Sequence, residues 1–415
     1  MYFIFLLSQY SIFVTGQLEN DTIKLFSDRM CDPACTFMNK TLTKSNIDKF
    51  PNNCTTVCAD FEILWFSELS EDKLRNAFKN MKHLIGNVHI SETRIVKCDF
   101  LAGLESIDTD TNSFRIFEKE YFPEIGEITI RNNENMTELN LSSLATLNCT
   151  TLDISENGRL EKIDISKLQN LTRNGPKMYY MSPGVGIILA YLSPKFCIKF
   201  DEMEHFLSIE NGDFSLIYAN YCTPVLEDNI CTKPEANCTR FFGDLIIGPN
   251  FTDQEKLRSL VSIFGRLVIN GSDFENLNFL ENLIYIAPLG WGNTNYTHIK
   301  YNNSKSYAVQ ILNNAKLEDY YFPALKRVRS DSKLAVTIKN NNEELLYNSK
   351  SCEKLENALI KEYIQVDGKY CSNIGTYEYL RDQRRMKRLI VFCGVGVAIL
   401  IIFLIVLYCC CKKEK

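Results

Sequence analysis

The chain has little of what catalysis, metal binding or nucleic-acid recognition needs. Only four histidines occur in 415 residues, His83, His89, His205 and His298, too few and too scattered for a zinc-enzyme cluster. Positive charge is not in excess: 46 Lys+Arg against 51 Asp+Glu leave a formal charge of −5, which argues against a nucleic-acid surface. Gly184-Val185-Gly186 and Gly394-Val395-Gly396 lack the further glycines and the lysine of a phosphate loop, and no HExxH, GxSxG or CxxC occurs. Asp108-x-Asp110-x-Asn112 begins like a calcium loop. However, Ser113 and Lys119 stand at its sixth and twelfth positions, so a polar turn is expected there. No catalytic residue, metal site or cofactor is expected.

What is present starts with length and two apolar runs. A 415-residue chain that is 45% hydrophobic can bury more than one core. Tyr2 to about Val14 is apolar, and Val14-Thr15-Gly16 offers small residues where a signal peptidase reads, so cleavage after about Gly16 is expected although a basic n-region is missing. Leu389–Tyr408 is an uncharged run of 20 residues, long enough to span a ~30 Å hydrocarbon core. Together they imply a type I single-pass membrane protein, at the plasma membrane with its ectodomain outside. Arg381, Arg384, Arg385, Lys387 and Arg388 on the expected outer side outnumber Lys412, Lys413 and Lys415 within. Loop-charge counting alone would therefore invert this topology, but a long translocated domain is largely indifferent to it.

Between the two runs lie twelve Asn-x-Ser/Thr sequons, at Asn20, Asn39, Asn53, Asn135, Asn140, Asn148, Asn170, Asn237, Asn250, Asn270, Asn295 and Asn302. Twelve cysteines occupy the same stretch, an even number that suits an oxidising compartment. Cys31-x3-Cys35 and Cys54-x3-Cys58 are expected to form two disulfides of an N-terminal hairpin, with the pairing open. Cys409, Cys410 and Cys411, beside lysines at the inner boundary, are candidate S-palmitoylation sites. Seven residues after the span leave no room for a kinase or scaffold, so function is expected outside. Arg385-Met386-Lys387-Arg388 fits a convertase site, but basic side chains reaching lipid headgroups beside the span are the favoured reading.

The ectodomain repeats itself. Gly86, Ile90, Leu101, Leu104 and Ile107 match Gly265, Ile269, Leu280, Leu283 and Ile286 at one offset of 179 residues. Asn53-Cys54-Thr55 matches Asn237-Cys238-Thr239, and Tyr121-Phe122-Pro123 matches Tyr321-Phe322-Pro323. Ile128–Asn133 is paired with Val336–Asn341. Each copy closes with a cysteine, a helix-like stretch and a second cysteine. Short β-like runs between Asn, Gly and Asp suit stacked rungs: 88–90, 114–117 and 127–130 in the first copy, 244–247, 266–269, 308–311 and 335–338 in the second. Leu139, Leu152 and Ile163 mark extra leucine-rich-repeat-like rungs in the first copy. Helix starts are expected at Ser70 and at Thr252-Asp253, the second with Glu255 at capping-box spacing. Phe196, Ile198, Phe200, Met203, Phe206 and Leu207 are expected to plug a solenoid end.

At Gly86…Ile90 with Phe100-Leu101-Ala102-Gly103-Leu104-Glu105-Ser106-Ile107, and at Gly265…Ile269 with Phe279-Leu280-Glu281-Asn282-Leu283-Ile284-Tyr285-Ile286, the sequence resembles the receptor L domain of insulin and EGF receptors. The resemblance covers roughly residues 50–371. It implies a mostly β fold with short helices: two tandem right-handed β-solenoid receptor L domains, plus one C-terminal transmembrane helix. It also implies closing disulfides Cys197–Cys222 and Cys352–Cys371; the first would close a loop of about 25 residues, worth roughly 3 kcal/mol. Unlike those receptors, only 223–237 separates the copies, and no kinase follows. The expected organisation is a signal peptide 1–16, a cysteine-containing segment 17–53, L domain one 54–222, a linker 223–237 and L domain two 238–371. A juxtamembrane stalk 372–388, the span 389–408 and a tail 409–415 follow. The implied partner is an extracellular peptide or protein, insulin- or EGF-like, or another receptor, with lipid around one helix, no nucleic acid and room for a homo-oligomer. No motif position fixes the ligand-binding residues.

Overall fold

The computed structural model describes residue 23 and residues 26–109, 128–173, 184–225, 230–289, 307–330, 332, 334–359 and 363–412. The signal peptide, Asn20, Asn295, Asn302, the run at 114–117, Tyr121-Phe122-Pro123 and most of the calcium-like turn lie outside the described residues.

Apolar residues in alternation build turns that stack in parallel. In the first copy a front sheet runs Thr36–Phe37, Thr56–Ala59, His83–Ile85, Ser106–Asp108, Thr146–Asn148 and Asn170–Thr172. A back sheet runs Phe61–Ile63, Val88–Ser91, Ile128–Arg131, Thr151–Ser155, Val185–Ala190 and Gly212–Asp213. A side sheet joins Lys97–Cys98, Glu138–Asn140 and Lys162–Asp164. Registers line up the inward residues, Val57, Leu84, Ile107, Leu147 and Leu171 in front, and Ile63, Ile90, Ile130, Ile154 and Leu189 behind. All ten are buried, and period-two alternation leaves the residues between them facing out.

The second copy repeats the plan. Its front sheet is Ile230–Cys231, Arg240–Phe242, Ser262–Phe264, Tyr285–Ile286 and Arg327–Val328. Its back sheet is Leu245–Ile247, Leu267–Asn270, Val309–Leu312, Leu334–Lys339 and Tyr363–Val366. The stretch expected to be a linker thus supplies the first strand of the second front sheet, and Cys231 bonds Cys238, a pair the sequence reading missed.

The repeated glycines have a steric cause. Gly86 sits at φ 132°, and a Cβ there would collide with the carbonyl of Ala59 one turn earlier. Gly265 stands in the same relation to the carbonyl of Gly243. Only glycine lets the front-to-back corner approach the turn above it this closely.

A buried asparagine ladder seals the other corner. Asn133 Oδ1 accepts from Thr93 N at 3.0 Å and Thr93 Oγ1 at 2.7 Å, and its Nδ2 donates to Ile90 O at 3.0 Å. Asn133 N donates to Asn157 Oδ1 at 2.9 Å, and Asn157 Nδ2 donates to Ile130 O at 2.8 Å. In the second copy Asn314 takes Ser272 N and Oγ, both at 2.8 Å, reaches Ile269 O at 3.1 Å and donates through N to Asn341 Oδ1 at 2.9 Å. Asn341 Nδ2 donates to Ile311 O at 2.8 Å. Asn133 therefore corresponds to Asn314, and Asn157 to Asn341. The expected pairing of Ile128–Asn133 with Val336–Asn341 is displaced by one turn. Successive turns share the same apolar–x–apolar–x–x–Asn ending, so sequence alone does not distinguish neighbours.

The expected helices divide. Glu71–Phe78 is an α-helix, capped by Ser70 Oγ on Lys73 N and burying Leu74, Ala77 and Phe78. Its counterpart is only the 3-10 turn Gln254–Leu257, where Asp253 makes no side-chain cap and Glu255 pairs with Arg258 at 2.6 Å instead of closing a capping box. Phe200–Ser208 is helical and buries Phe200, Met203, Phe206 and Leu207, while Phe196 and Ile198 precede it.

Disulfides join Cys31–Cys58, Cys35–Cys54, Cys197–Cys222 and Cys352–Cys371, which settles the nested hairpin pairing left open above. The two closing bonds sit differently: Cys197–Cys222 brackets a helix, whereas Cys352 lies inside the helix Ser349–Asn357. Cys98 and Cys149 are buried outside the five disulfides, and burial pushes the Cys98 thiol well above its ordinary range. The stretch expected as a stalk is part of one helix, Cys371–Lys412, which is long and apolar enough to cross a membrane. Cys409, Cys410 and Cys411 fall in its last turns.

Candidate ligand-binding faces

Stacked sheets expose broad outer faces, and those are where such a fold can bind. One of them is already filled. On the second copy's front sheet the outward row is Arg240, Ser262, Tyr285 and Arg327, in register. Against it lies the end of the first copy. Phe200 packs on Tyr221, Phe242 and Phe264 at centroid distances of 5.2, 5.4 and 4.8 Å. Glu204 accepts from Ser262 Oγ at 2.6 Å and from Arg240, which also pairs with Asp201 at 2.6 Å. Tyr221 donates its hydroxyl to Ala287 O at 2.6 Å, and burial pushes that phenol well above its ordinary range.

Arg329 fastens the same junction. Its side chain is buried and donates to Phe214 O at 3.3 Å, Ser215 O at 3.0 Å and Ile217 O at 2.7 Å, all in the first copy. A further bond goes to Pro288 O. Arg327 adds a bond to Ile209 O at 3.2 Å. A guanidinium presents five donors in a fixed fork, so one side chain can hold several carbonyls of an irregular cap at once.

The first copy's front face is covered at one edge by the N-terminal segment, where buried Phe26 packs with Cys58 and Ile85, and beyond that edge it carries sequons. Asn148 and Asn170 stand outward on neighbouring strands. Asn148 Nδ2 donates to Asp108 Oδ1 at 2.7 Å, and Arg29 reaches the same carboxylate at 3.1 Å. Elsewhere Asn39, Asn53, Asn135, Asn237, Asn250 and Asn270 are exposed and Asn140 is half-buried.

The outward rows of the back sheets differ in chemistry, and the second copy's back face carries the sequon Asn270, exposed at the end of Leu267–Asn270. In the first copy the row is Glu62, His89, Thr129, Asp153 and Ile188. Arg131 lies 3.6 Å from Asp153 and 2.8 Å from Glu156. Burial raises the Asp153 carboxyl above its usual range, with Ser155 and Arg131 opposing. The second copy's row is Ile246, Val268, Gln310, Thr337 and Gln365, without charge. Ile246 is 63% exposed although aliphatic, and Val268 beside it is half-buried. Sequence reasoning missed this pair; the signal was two outward positions occupied by Ile and Val where the first copy has Glu62 and His89. No group of His, Cys, Asp or Glu among the described residues could hold a metal ion.

Two parallel-stranded modules, each with a glycine corner and an asparagine corner, followed by one apolar helix, define the class. The family model of the receptor L domain matches residues 53–173 and 237–357, more than half of the chain, and the chain belongs to that family. Receptor L domains are the non-catalytic ligand-binding domains of receptors. No curated protein matches the chain.

Proposed function

We propose that this protein is a membrane-tethered, non-catalytic binder of an extracellular peptide or protein, insulin- or EGF-like, acting as a decoy or co-receptor. Two receptor L domains ahead of a single apolar helix carry the reading. In it, L domain one spans 54–222 and L domain two 238–371, the chain is type I at the plasma membrane, and the sequons bear glycans. Glycans at Asn148 and Asn170 shield the first front face, while the second is filled from within. On the second copy's back face, Ile246 with Val268 forms an uncharged apolar centre of the kind found at interface cores, beside the exposed sequon Asn270 on Val268's own strand.

The test is saturable binding of insulin-like and EGF-like peptides to the glycosylated protein displayed on cells. Sub-micromolar binding of one peptide, lost on Ile246→Arg, supports the reading. Silence across the panel with normally displayed protein sinks the hormone assignment. The second reading, adhesion or dimerisation with a kinase-bearing receptor, draws on Trp65 and Phe66. These are 66% and 46% exposed and stacked edge-on at 5.3 Å. Self-association abolished by Trp65→Ala would favour it.

A further inference from the structure

The stretch between the second domain and the membrane run is neither irregular nor separate from the domain. Helix Cys371–Lys412 passes through it without a break. Its first residue is bonded to Cys352 in the helix Ser349–Asn357, and Ile374 is fully buried in the second core. Lys369 lies 4.1 Å over the Tyr377 ring, and Ser349 N donates to Glu378 Oε2 at 3.3 Å. Farther along, Arg381 donates to Glu344 at 2.7 Å and covers the Tyr347 ring at 4.2 Å, with its side chain only 19% exposed. Arg385 approaches Glu344 at 3.9 Å. Glu344 and Tyr347 belong to the 3-10 turn Glu343–Tyr347 of the second domain.

These contacts fix a height. Arg385 lies four residues, about 6 Å, before Leu389, and Arg381 eight residues, about 12 Å. The polar headgroup layer on each side of a bilayer is roughly 5–8 Å deep. A turn that touches both arginines therefore stands at the outer limit of that layer.

We infer that the second L domain and the spanning helix form one rigid body that rests the turn Glu343–Tyr347 on the lipid headgroups. The partner of this surface is the bilayer in which the chain is anchored. The ectodomain does not swing on a stalk: its faces keep a set tilt to the membrane, and a ligand must approach from the sides left open. Arg384–Arg388, held helical beneath the domain, is correspondingly a poor protease substrate. The inference rests on the tether reading above.

The full chain is reconstituted in phosphatidylcholine vesicles. Glu343→Cys, at an exposed position of the turn, is labelled with a membrane-impermeant fluorophore, and headgroup-nitroxide lipid is added as a short-range quencher. At least a twofold loss of fluorescence is expected. Adding Glu344→Gln and Arg381→Gln should restore most of it and speed trypsin cleavage at Arg384–Arg388 about tenfold. Label left unquenched in protein that resists alkaline carbonate extraction overturns the rigid apposition and leaves the tether intact. Equal quenching and equal cleavage with and without the two substitutions also overturns it. Release by carbonate overturns the tether, and this inference with it.

Discussion

Arg329 is the sharpest test of whether the two L domains act as one unit. Its guanidinium makes three bonds across the junction, to Phe214 O, Ser215 O and Ile217 O, from a site that is 4% exposed. Hydrogen bonds to a charged group contribute about 1.5–3 kcal/mol each, so three set a ceiling of roughly 5–9 kcal/mol. Carbonyls that loosen and meet water recover part of that; at about 1–3 kcal/mol for each acceptor left buried and unpaired, a net loss of about 3–5 kcal/mol remains. Arg329→Met keeps the stem and deletes the fork, so the expected loss falls in that lower range. Apart from the bond to Pro288 O within the second copy, it should fall on the coupling between the copies. Calorimetry of the disulfide-intact protein should show one transition for the wild type and two for the variant, the lower shifted by several degrees. Arg327→Met, which removes the bond to Ile209 O from a half-buried position, should cost about 1 kcal/mol and leave one transition. A single transition within about 0.5 kcal/mol of wild type for Arg329→Met would refute the argument that this side chain holds the units together.

Asn133→Ala orphans Thr93 N, Thr93 Oγ1 and Ile90 O at a fully buried corner, and Asn314→Ala does the same to Ser272 and Ile269. Each should lose about 2–4 kcal/mol in urea unfolding, whereas exposed Glu134→Ala on the same turn should lose well under 1. Gly265→Ala forces a methyl against the Gly243 carbonyl and should lose about 2–3 kcal/mol, seen as reduced yield and a lower Tm. Asp153 predicts a pH effect. Burial raises its folded pKa above the unfolded value, so its contribution is fully present below about pH 3.9 and is lost as pH rises through the raised value. Asp153→Asn should therefore raise Tm at neutral pH, with the gain vanishing as the pH falls toward 3; a constant offset would contradict the assignment.

Much of this protein is written locally. Alternation at Val88–Ile90, Leu267–Ile269 and Val336–Ile338 marks strands because period-two burial needs no knowledge of neighbours. Gly86 and Gly265 mark the tight corner, Ser70 marks a helix start, and the uncharged run from Leu389 marks a helix that can span a bilayer. What the sequence left open depends on partners distant along the chain. The hairpin pairing, Cys31 with Cys58 and Cys35 with Cys54, depends on which cysteines the first two strands of the front sheet bring together. The one-turn displacement of Ile128–Asn133 arose because stacked turns are chemically alike, and only the ladder bonds tell them apart.

The same holds for function. Composition and motifs offer no recognised catalytic constellation and raise the expectation of an extracellular binder, since each argument needs only residue types and spacing. Which faces remain free is settled by packing. Arg240, Ser262 and Phe264 look like solvent-facing strand positions, yet Phe200, Glu204 and Tyr221 cover them. Arg329 reads as a surface charge until three carbonyls from more than a hundred residues away surround it. Burial of a face is a property of two surfaces, and a strand's own sequence encodes only one of them.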